Sequence, residues 1–375
     1  MLFHGHSEMN FNVIKPLYRK VSSCSNTEMF FSFNNDISEK GKAPSKFNLE
    51  SINQYIKPKY ILPIEKTKYI KWDAVIDSDV YTPWFYRNTQ FIQIFHGVAA
   101  KAVTLEDGTI VNYNYHPNLK RYDICFFTNK LFFNNAKEAG LGKKDDTGEI
   151  IGLCYLDDLI EKNNEKSIKE IKEKLVPEKF RSKKIILYAP SWGNHNSLAC
   201  KGAEILRILA QMDMFTLIKP HPNSIMDDIK DMEEGLELFL SKTFKDNNFS
   251  LITSSPYEPA VISDALITDL GSLALEYALL RKPIFLFCGT DHKKYIADLK
   301  QFDMTLKCST PVYESEPITQ KTFEIPEMSE ERRTAMIDLE NSYFANVGHA
   351  TEAAFNALLR RNIICSKKPL ASILQ

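Results

Sequence analysis

The sequence predicts an α/β protein of two domains, and three observations carry that expectation. Short apolar runs alternate with helix-patterned segments for most of the length. The alternation breaks at a charge-dense stretch, residues 161–184, "EKNNEKSIKEIKEKLVPEKFRSKK", and then restarts. At 375 residues the chain is long for a single hydrophobic core. The expected division is therefore 1–160, a linker at 161–184, a second domain at 185–347, and a C-terminal helix and tail at 348–375.

In chain order, the apolar runs predict strands at Met1–His4, Met29–Phe33, Tyr60–Pro63, Ala74–Asp77, Phe91–Phe95, Ile124–Thr128 and Glu149–Leu153. Helical periodicity appears at Asn12–Val21 and Lys130–Ala139, and the charge-dense stretch reads as an exposed helix and linker. The second half predicts strand Ile185–Ala189, helix Ser197–Met212, strand Thr216–Lys219 and helix Ser224–Ser241. Strands Phe249–Thr253 and Ala265–Thr268, helix Ser272–Leu280 and strand Pro283–Phe287 follow, and an amphipathic helix, Thr351–Arg361, closes the chain. Two halves of this type are expected to face each other across a cleft where strand carboxyl ends meet helix N-termini, the place where open α/β sheets bind ligands.

Composition narrows the classes. Hydrophobic residues at 44% and charged residues at 25% describe an ordinary globular protein. A net charge of −1 and a pI near 6.7 supply no basic field, which argues against nucleic acid as a partner. No apolar stretch reaches the roughly 20 residues that span a bilayer, and "MLFHGHSEMNF" lacks the pattern of a secretory signal. The seven cysteines are scattered, odd in number and without C-x-x-C, which predicts reduced, mostly buried thiols in a cytoplasmic protein. There is no H-x-x-x-H and no G-x-x-x-x-G-K-[ST], so neither a metal nor a Walker-type site is expected.

Candidate chemistry gathers at strand ends. In "LITDLGSLALEYALLRKP" an apolar run stops at Asp269, Gly271 allows a tight turn, and Ser272 suits a helix start. The following N–H groups form an anion site suited to a pyrophosphate. Glu276, four residues after Ser272 on the same helix face, could accept hydrogen bonds from a ribose diol. The plainer alternative is an ordinary strand-to-helix turn with Glu276 solvated.

"FIQIFHGVAAK" places His96 and Gly97 at a strand end, with Lys101 just beyond, where a histidine suits proton transfer at neutral pH. A single structural histidine is the alternative. "TLIKPHPNS" carries Lys219 and a His221 held between two prolines, either presented rigidly or incidental to a turn. "ILYAPSWGNHNS" places Ser191, Trp192, His195 and Asn196 in a loop; Trp192 either stacks on a base or, the preferred reading, closes the core. "FHGHSEMNF" offers His4, His6 and Ser7 at the first strand-to-helix loop. His116, His292 and His349 show no constellation around them.

Together these segments resemble the CDP-glycerol glycerophosphotransferase family, the teichoic-acid and capsule polymer enzymes. Its Gln-x-Trp-His-Gly-Thr-Pro-Leu-Lys segment is similar to "QIFHGVAAK", matching at Gln93, His96, Gly97 and Lys101. Its Tyr-Ala-Pro-Thr-Trp-Arg segment resembles "YAPSWG", and its Leu-Arg-x-His-Pro segment resembles "LIKPHP". Its Leu-Ile-Thr-Asp-Tyr-Ser-Ser segment, followed by Phe-Asp-Tyr-Ala and Lys-Lys-Pro, resembles "LITDLGSLALEYALLRKP". The departures are Val98-Ala99-Ala100, Gly193 and Leu270-Gly271-Ser272, and "TDLGS" also lies part-way to the Thr-Asp-Ser-Gly-Gly segment of UDP-N-acetylglucosamine 2-epimerases.

The resemblance implies a GT-B-like fold, two Rossmann-like domains facing across a cleft, with the acceptor on the N-terminal domain and the nucleotide donor on the C-terminal one. It implies His96 and His221 as the catalytic pair. Ser191, Lys219, Asp269, Gly271, Ser272 and Glu276 would bind the donor, with His4, His6, Gly97 and Lys101 on the acceptor side. The implied reaction moves an alditol phosphate from a CDP-activated donor such as CDP-glycerol to a hydroxyl of a polyol-phosphate or glycan chain, with no resident cofactor or metal. The implied location is cytoplasmic, with peripheral contact at the inner membrane face left open, as is the oligomeric state. A glycosyltransferase, a UDP-sugar epimerase and a non-catalytic nucleotide-sugar binding protein remain alternatives.

Overall fold

The computed structural model describes residues 1–5, 8–33, 52–78, 89–99, 102–104, 108–141, 147–221, 224, 232, 235–290 and 298–366. The chain forms two compact units, the first from Met1–Val98, Val111–Asp157 and Ser342–Gln375, the second from Ala99–Ile110 and Asp158–Asn341.

The first unit is built on strands β1 (Leu2–Gly5), β2 (Phe30–Phe33), β3 (Ile61–Pro63), β4 (Ala74–Asp77) and β5 (Gln90–Ile94). Strands β6 (Ala102–Thr104) and β7 (Ile110–Asn112) pair separately, and β8 (Ile124–Phe127) and β9 (Gly148–Ile150) complete the larger sheet. Its order is β3-β2-β1-β4-β5-β8-β9, with every pairing parallel. A parallel sheet covered on both faces needs apolar runs rather than alternation, and β1, β4 and β8 are buried at every residue.

The chain returns to this unit at its end. Asp157 accepts the N–H groups of Ala350 (3.0 Å) and Thr351 (2.7 Å), capping helix Ala350–Arg360, and Asn346 Nδ2 donates to the carbonyls of Ile150 and Ile151. Gly152 makes this junction possible: its φ is +89°, and a Cβ there would stand 2.1 Å from the Ala345 carbonyl oxygen.

The second unit contains β10 (Lys184–Ala189), β11 (Met214–Ile218), β12 (Phe249–Leu251), β13 (Ala265–Asp269), β14 (Ile284–Cys288) and β15 (Thr310–Tyr313), ordered β12-β11-β10-β13-β14-β15 and parallel throughout. This is the 3-2-1-4-5-6 order of a doubly wound fold, whose direction reverses between β10 and β13. Its core packs Ile186, Tyr188, Ile218, Ile267 and Phe285 with Leu198, Leu206 and Leu209 of helix Ser197–Ala210.

The charge-dense stretch holds the expected helix, followed by a connection to β10. Helices Tyr155–Lys162 and Glu165–Leu175 occupy most of it, Asn164 caps the latter by accepting the Ser167 N–H (3.0 Å), and Lys162 and Lys174 both pair with Glu258. Helices Leu299–Cys308 and Glu330–Tyr343 and strand β15 were not expected from the sequence. Their signal is sparse: Gln301, Phe302, Thr305 and Cys308 in one, and Met336, Leu339 and Tyr343 in the other, are the buried positions. Of the expected helix Ser224–Ser241, the described part is Leu236–Thr243, and residues 225–231 lie outside the described set. None of the seven cysteines is in a disulfide, and Cys125, Cys154, Cys288 and Cys308 are buried.

Candidate functional site

In the second unit the reversal of strand order puts the carboxyl ends of β10 and β13 side by side, which is where an open α/β sheet opens a crevice. Asp269, the last residue of β13, is 5% exposed. Its carboxylate accepts the backbone N–H groups of Ser191 and Ser197, each at 2.6 Å. The acid therefore pins both ends of the loop after β10. Burial pushes its carboxyl up to about 6, and the two N–H donors hold it from rising further. Asn196 caps the helix that follows by accepting the Ala199 N–H (2.8 Å). Ser224 Oγ donates to the Ser191 carbonyl (3.2 Å), tying the loop after β11 to the same place.

Trp192 does not close the core. It is 45% exposed, and its ring lies 6.5 Å from that of half-buried His221 at an interplanar angle of 30°. A loop anchored through its backbone leaves its side chains turned outward, which is why the aromatic at 192 is presented to solvent. Lys219, also half-buried, continues the β11 pairing with its N–H on the Tyr188 carbonyl (2.8 Å) and turns Nζ back to the Pro220 carbonyl (3.0 Å).

At the Gly271–Ser272 turn the structure corrects one expectation and decides another. Gly271 has φ 177°, extended backbone open to any residue, and an added Cβ would meet nothing within 4 Å, so a tight turn is not what glycine supplies here. The helix is short, Ser272–Ala278, and ends where Arg281 adopts φ 54°. Ser272 Oγ accepts the N–H of Ala99, a residue of the second unit (3.2 Å). Glu276 is not solvated: it is 3% exposed and accepts the Tyr257 hydroxyl (3.2 Å). Just beyond, Lys282 donates to the carbonyls of Val261 (2.6 Å) and Ser263 (2.9 Å), and burial pushes its ammonium down to about 8.

In the first unit His96 follows β5 with its ring half-buried, and Nδ1 lies 3.3 Å from the Ser78 carbonyl. Gly97 follows it and is also half-buried. His4 belongs to β1 rather than to the loop after it, and it is fully buried. In register across the sheet stand Ser32, His4, Asp77, Gln93 and Cys125, all with side chains on one face. Asp77 accepts the Tyr122 hydroxyl (2.8 Å), and among the described residues the Gln93 amide meets no hydrogen-bond partner. This buried polar row was missed, although a polar residue inside each of several short apolar strands was its visible trace. The sequence also carries an Asp-x-Asp spacing at Asp77-Ser78-Asp79.

His6, Ser7 and Lys101 lie outside the described residues. His116 is structural: its ring accepts the Asn118 N–H (3.1 Å) at the start of the turn Pro117–Arg121. Among the described residues no cluster of three or more His, Cys, Asp or Glu is placed to hold a metal ion, and no helix is long and apolar enough to cross a membrane.

Two parallel sheets, each with its strand order reversing beside a set of polar strand ends, define an α/β protein of GT-B-like class. The solved structures that share this fold bear that out. A histidine-to-alanine variant of the wall teichoic acid polymerase TagF matches over 96% of this chain and 88% of its own, with TM-score 0.67 and 19% identity. A UDP-N-acetylglucosamine 2-epimerase matches over 98% and 97%, with TM-score 0.60 and 13% identity. The family model described as CDP-glycerol:poly(glycerophosphate) glycerophosphotransferase matches residues 4–348, and the chain belongs to that family. A teichoic acid glycerol-phosphate transferase of Staphylococcus aureus is 26% identical over 261 residues, which are 61% of this chain and 60% of that protein. The chain thus spans less than two thirds of the length of the curated relatives it matches.

Proposed function

We propose that this protein transfers glycerol phosphate, or a related alditol phosphate, from a CDP-activated donor to a hydroxyl of a polyol-phosphate or glycan chain in wall or capsule polymer synthesis. The observation that carries the reading is the family match over residues 4–348, which takes in all four strand-end segments. One of the TagF structures of the same fold was obtained from a histidine-to-asparagine variant soaked with CDPG.

In this reading His96 is the general base. Its Nδ1 faces a carbonyl, so Nε2 is left to take the acceptor hydroxyl's proton as that oxygen attacks the β-phosphorus. The bond from that phosphorus to the bridging oxygen breaks, and CMP leaves with the electron pair. His221, Lys219 and the backbone N–H groups at Gly271–Ser272 stabilise the charge that gathers on the leaving phosphate. Ser191 and Asp269 shape the loop that receives the donor, Trp192 gives its base a face to stack on, and Glu276 accepts from a ribose or glycerol hydroxyl. His6, Gly97 and Lys101 stay on the acceptor side, with His4 as a buried support in β1 rather than a contact to the acceptor. The donor is a substrate, and the chemistry asks for no resident cofactor or metal. A polymer acceptor at the inner membrane face would bring peripheral membrane contact.

Likeness to the UDP-N-acetylglucosamine 2-epimerase favours a second reading, a UDP-sugar enzyme that needs no acceptor. The deciding experiment incubates the protein with CDP-glycerol and a glycerol-phosphate oligomer and follows CMP release, beside UDP-N-acetylglucosamine alone. Acceptor-dependent CMP release is expected. His96→Ala should lose about 10² to 10⁴ in turnover while donor affinity stays nearly unchanged. A fully active His96→Ala, or turnover of the UDP-sugar with none of CDP-glycerol, would sink the reading.

A further inference from the structure

One main-chain oxygen in the first unit takes two side-chain donors. The Ser78 carbonyl, just past β4, accepts Asn10 Nδ2 at 3.2 Å and lies 3.3 Å from His96 Nδ1. Asn10 stands in the first turn of helix Glu8–Cys24, and both it and Ser78 are buried. This is the place where strand order reverses in the first sheet, with β1 beside β4. We propose that Asn10 is a positioning residue for His96: by holding the Ser78 carbonyl it keeps the imidazole proton on Nδ1 and leaves Nε2 bare. The inference rests on the reading of His96 as general base.

A carbonyl oxygen has two lone pairs and no proton, so it can serve both donors, and an imidazole nitrogen facing it must carry the hydrogen. The bond to His96 is long, and buried Ser78 has no water shell to replace a lost partner. A carbonyl free to swing would let the ring turn and exchange tautomers. Asn10 supplies the second anchor that prevents this. Gly5 lets it come close: a Cβ at that position would stand 3.0 Å from Asn10 Cβ. The glycine of "FHGHS" thereby acquires a role through the helix it faces.

The test uses the full chain labelled with ¹⁵N at histidine, the His96 signals being assigned from their loss in His96→Gln. Wild type should show a protonated Nδ1 and a bare Nε2. Asn10→Leu, close in volume but without a donor, should show a mixture of tautomers. Its kcat should fall about tenfold or more with donor KM unchanged. The acid limb of its kcat profile should move to lower pH, because the imidazolium loses a fixed acceptor. Asn10→Gln should restore part of both. A merely structural asparagine would lower the melting temperature without moving tautomer or profile, and that outcome overturns the proposal. Should Asn10→Leu fail to fold, Gly5→Ala, which displaces Asn10, is read by the same tautomer measurement, and an unchanged tautomer there overturns it equally. Full activity in His96→Gln would instead remove the general-base reading itself.

Discussion

Asp269→Asn offers a direct test of how the loop after β10 is held, because the exchange keeps the shape and removes the charge. In the folded protein burial raises this carboxyl from its ordinary 3.8 to about 6. Below the lower value both folded and unfolded chains are protonated, and above the upper one both are ionised. Between them the folded chain keeps a proton that the unfolded chain has released, so wild-type stability falls as pH rises across that window. At about 1.4 kcal/mol per tenfold, the interval is worth roughly 3 kcal/mol. The asparagine does not titrate.

A second effect is independent of pH. One amide oxygen cannot accept both Ser191 and Ser197 N–H groups, and the buried Ser197 donor left unpaired costs about 1–3 kcal/mol. The assay is urea unfolding of both proteins at half-unit steps from pH 4 to 7. The variant should be the less stable at pH 4, and the gap should close by roughly 3 kcal/mol towards pH 7. A gap that stays constant, or widens in favour of wild type, would show that the two hydrogen bonds outweigh burial and that the charge-burial argument is wrong.

Two further outcomes follow from the same geometry. On the proposed function, Trp192→Ala should weaken CDP-glycerol binding by about tenfold, since stacking of a base on an aromatic ring is worth roughly 1–3 kcal/mol, while leaving the urea midpoint unchanged because the ring is 45% exposed; isothermal titration reads the first and unfolding the second. Gly152→Ala should destabilise the first unit by about 3 kcal/mol or more, combining a positive φ with displacement of the Ala345 carbonyl, and a thermal midpoint equal to wild type would contradict the contact.

The positions of the candidate residues in the fold were largely legible in the sequence because strand ends carry local signals. "LITDLGS" announces where β13 stops whatever it pairs with, and His96 and Lys219 are each the first polar residue after an apolar run, with His221 two residues beyond Lys219. The alternation of such runs with helical patterns was enough for the α/β class. Candidates at 191, 219, 269 and 276 could be named from these ends, but not what each side chain touches.

Those partners were decided by pairing between segments far apart in the chain. Asp269 turns out to clamp a loop seventy-odd residues earlier because β13 lies beside β10. Glu276 is buried because Tyr257 reaches it. His4, Asp77 and Gln93 form one row only through strand register, and Asn10 reaches His96 through a carbonyl at Ser78. Local composition determines which segments become strands, and which residues sit at their ends. Hydrogen-bond partners across a parallel sheet depend on strand order and register, which no single segment encodes, and so the exposed Trp192, the buried acids and the anchored imidazole could be assigned only in the folded chain.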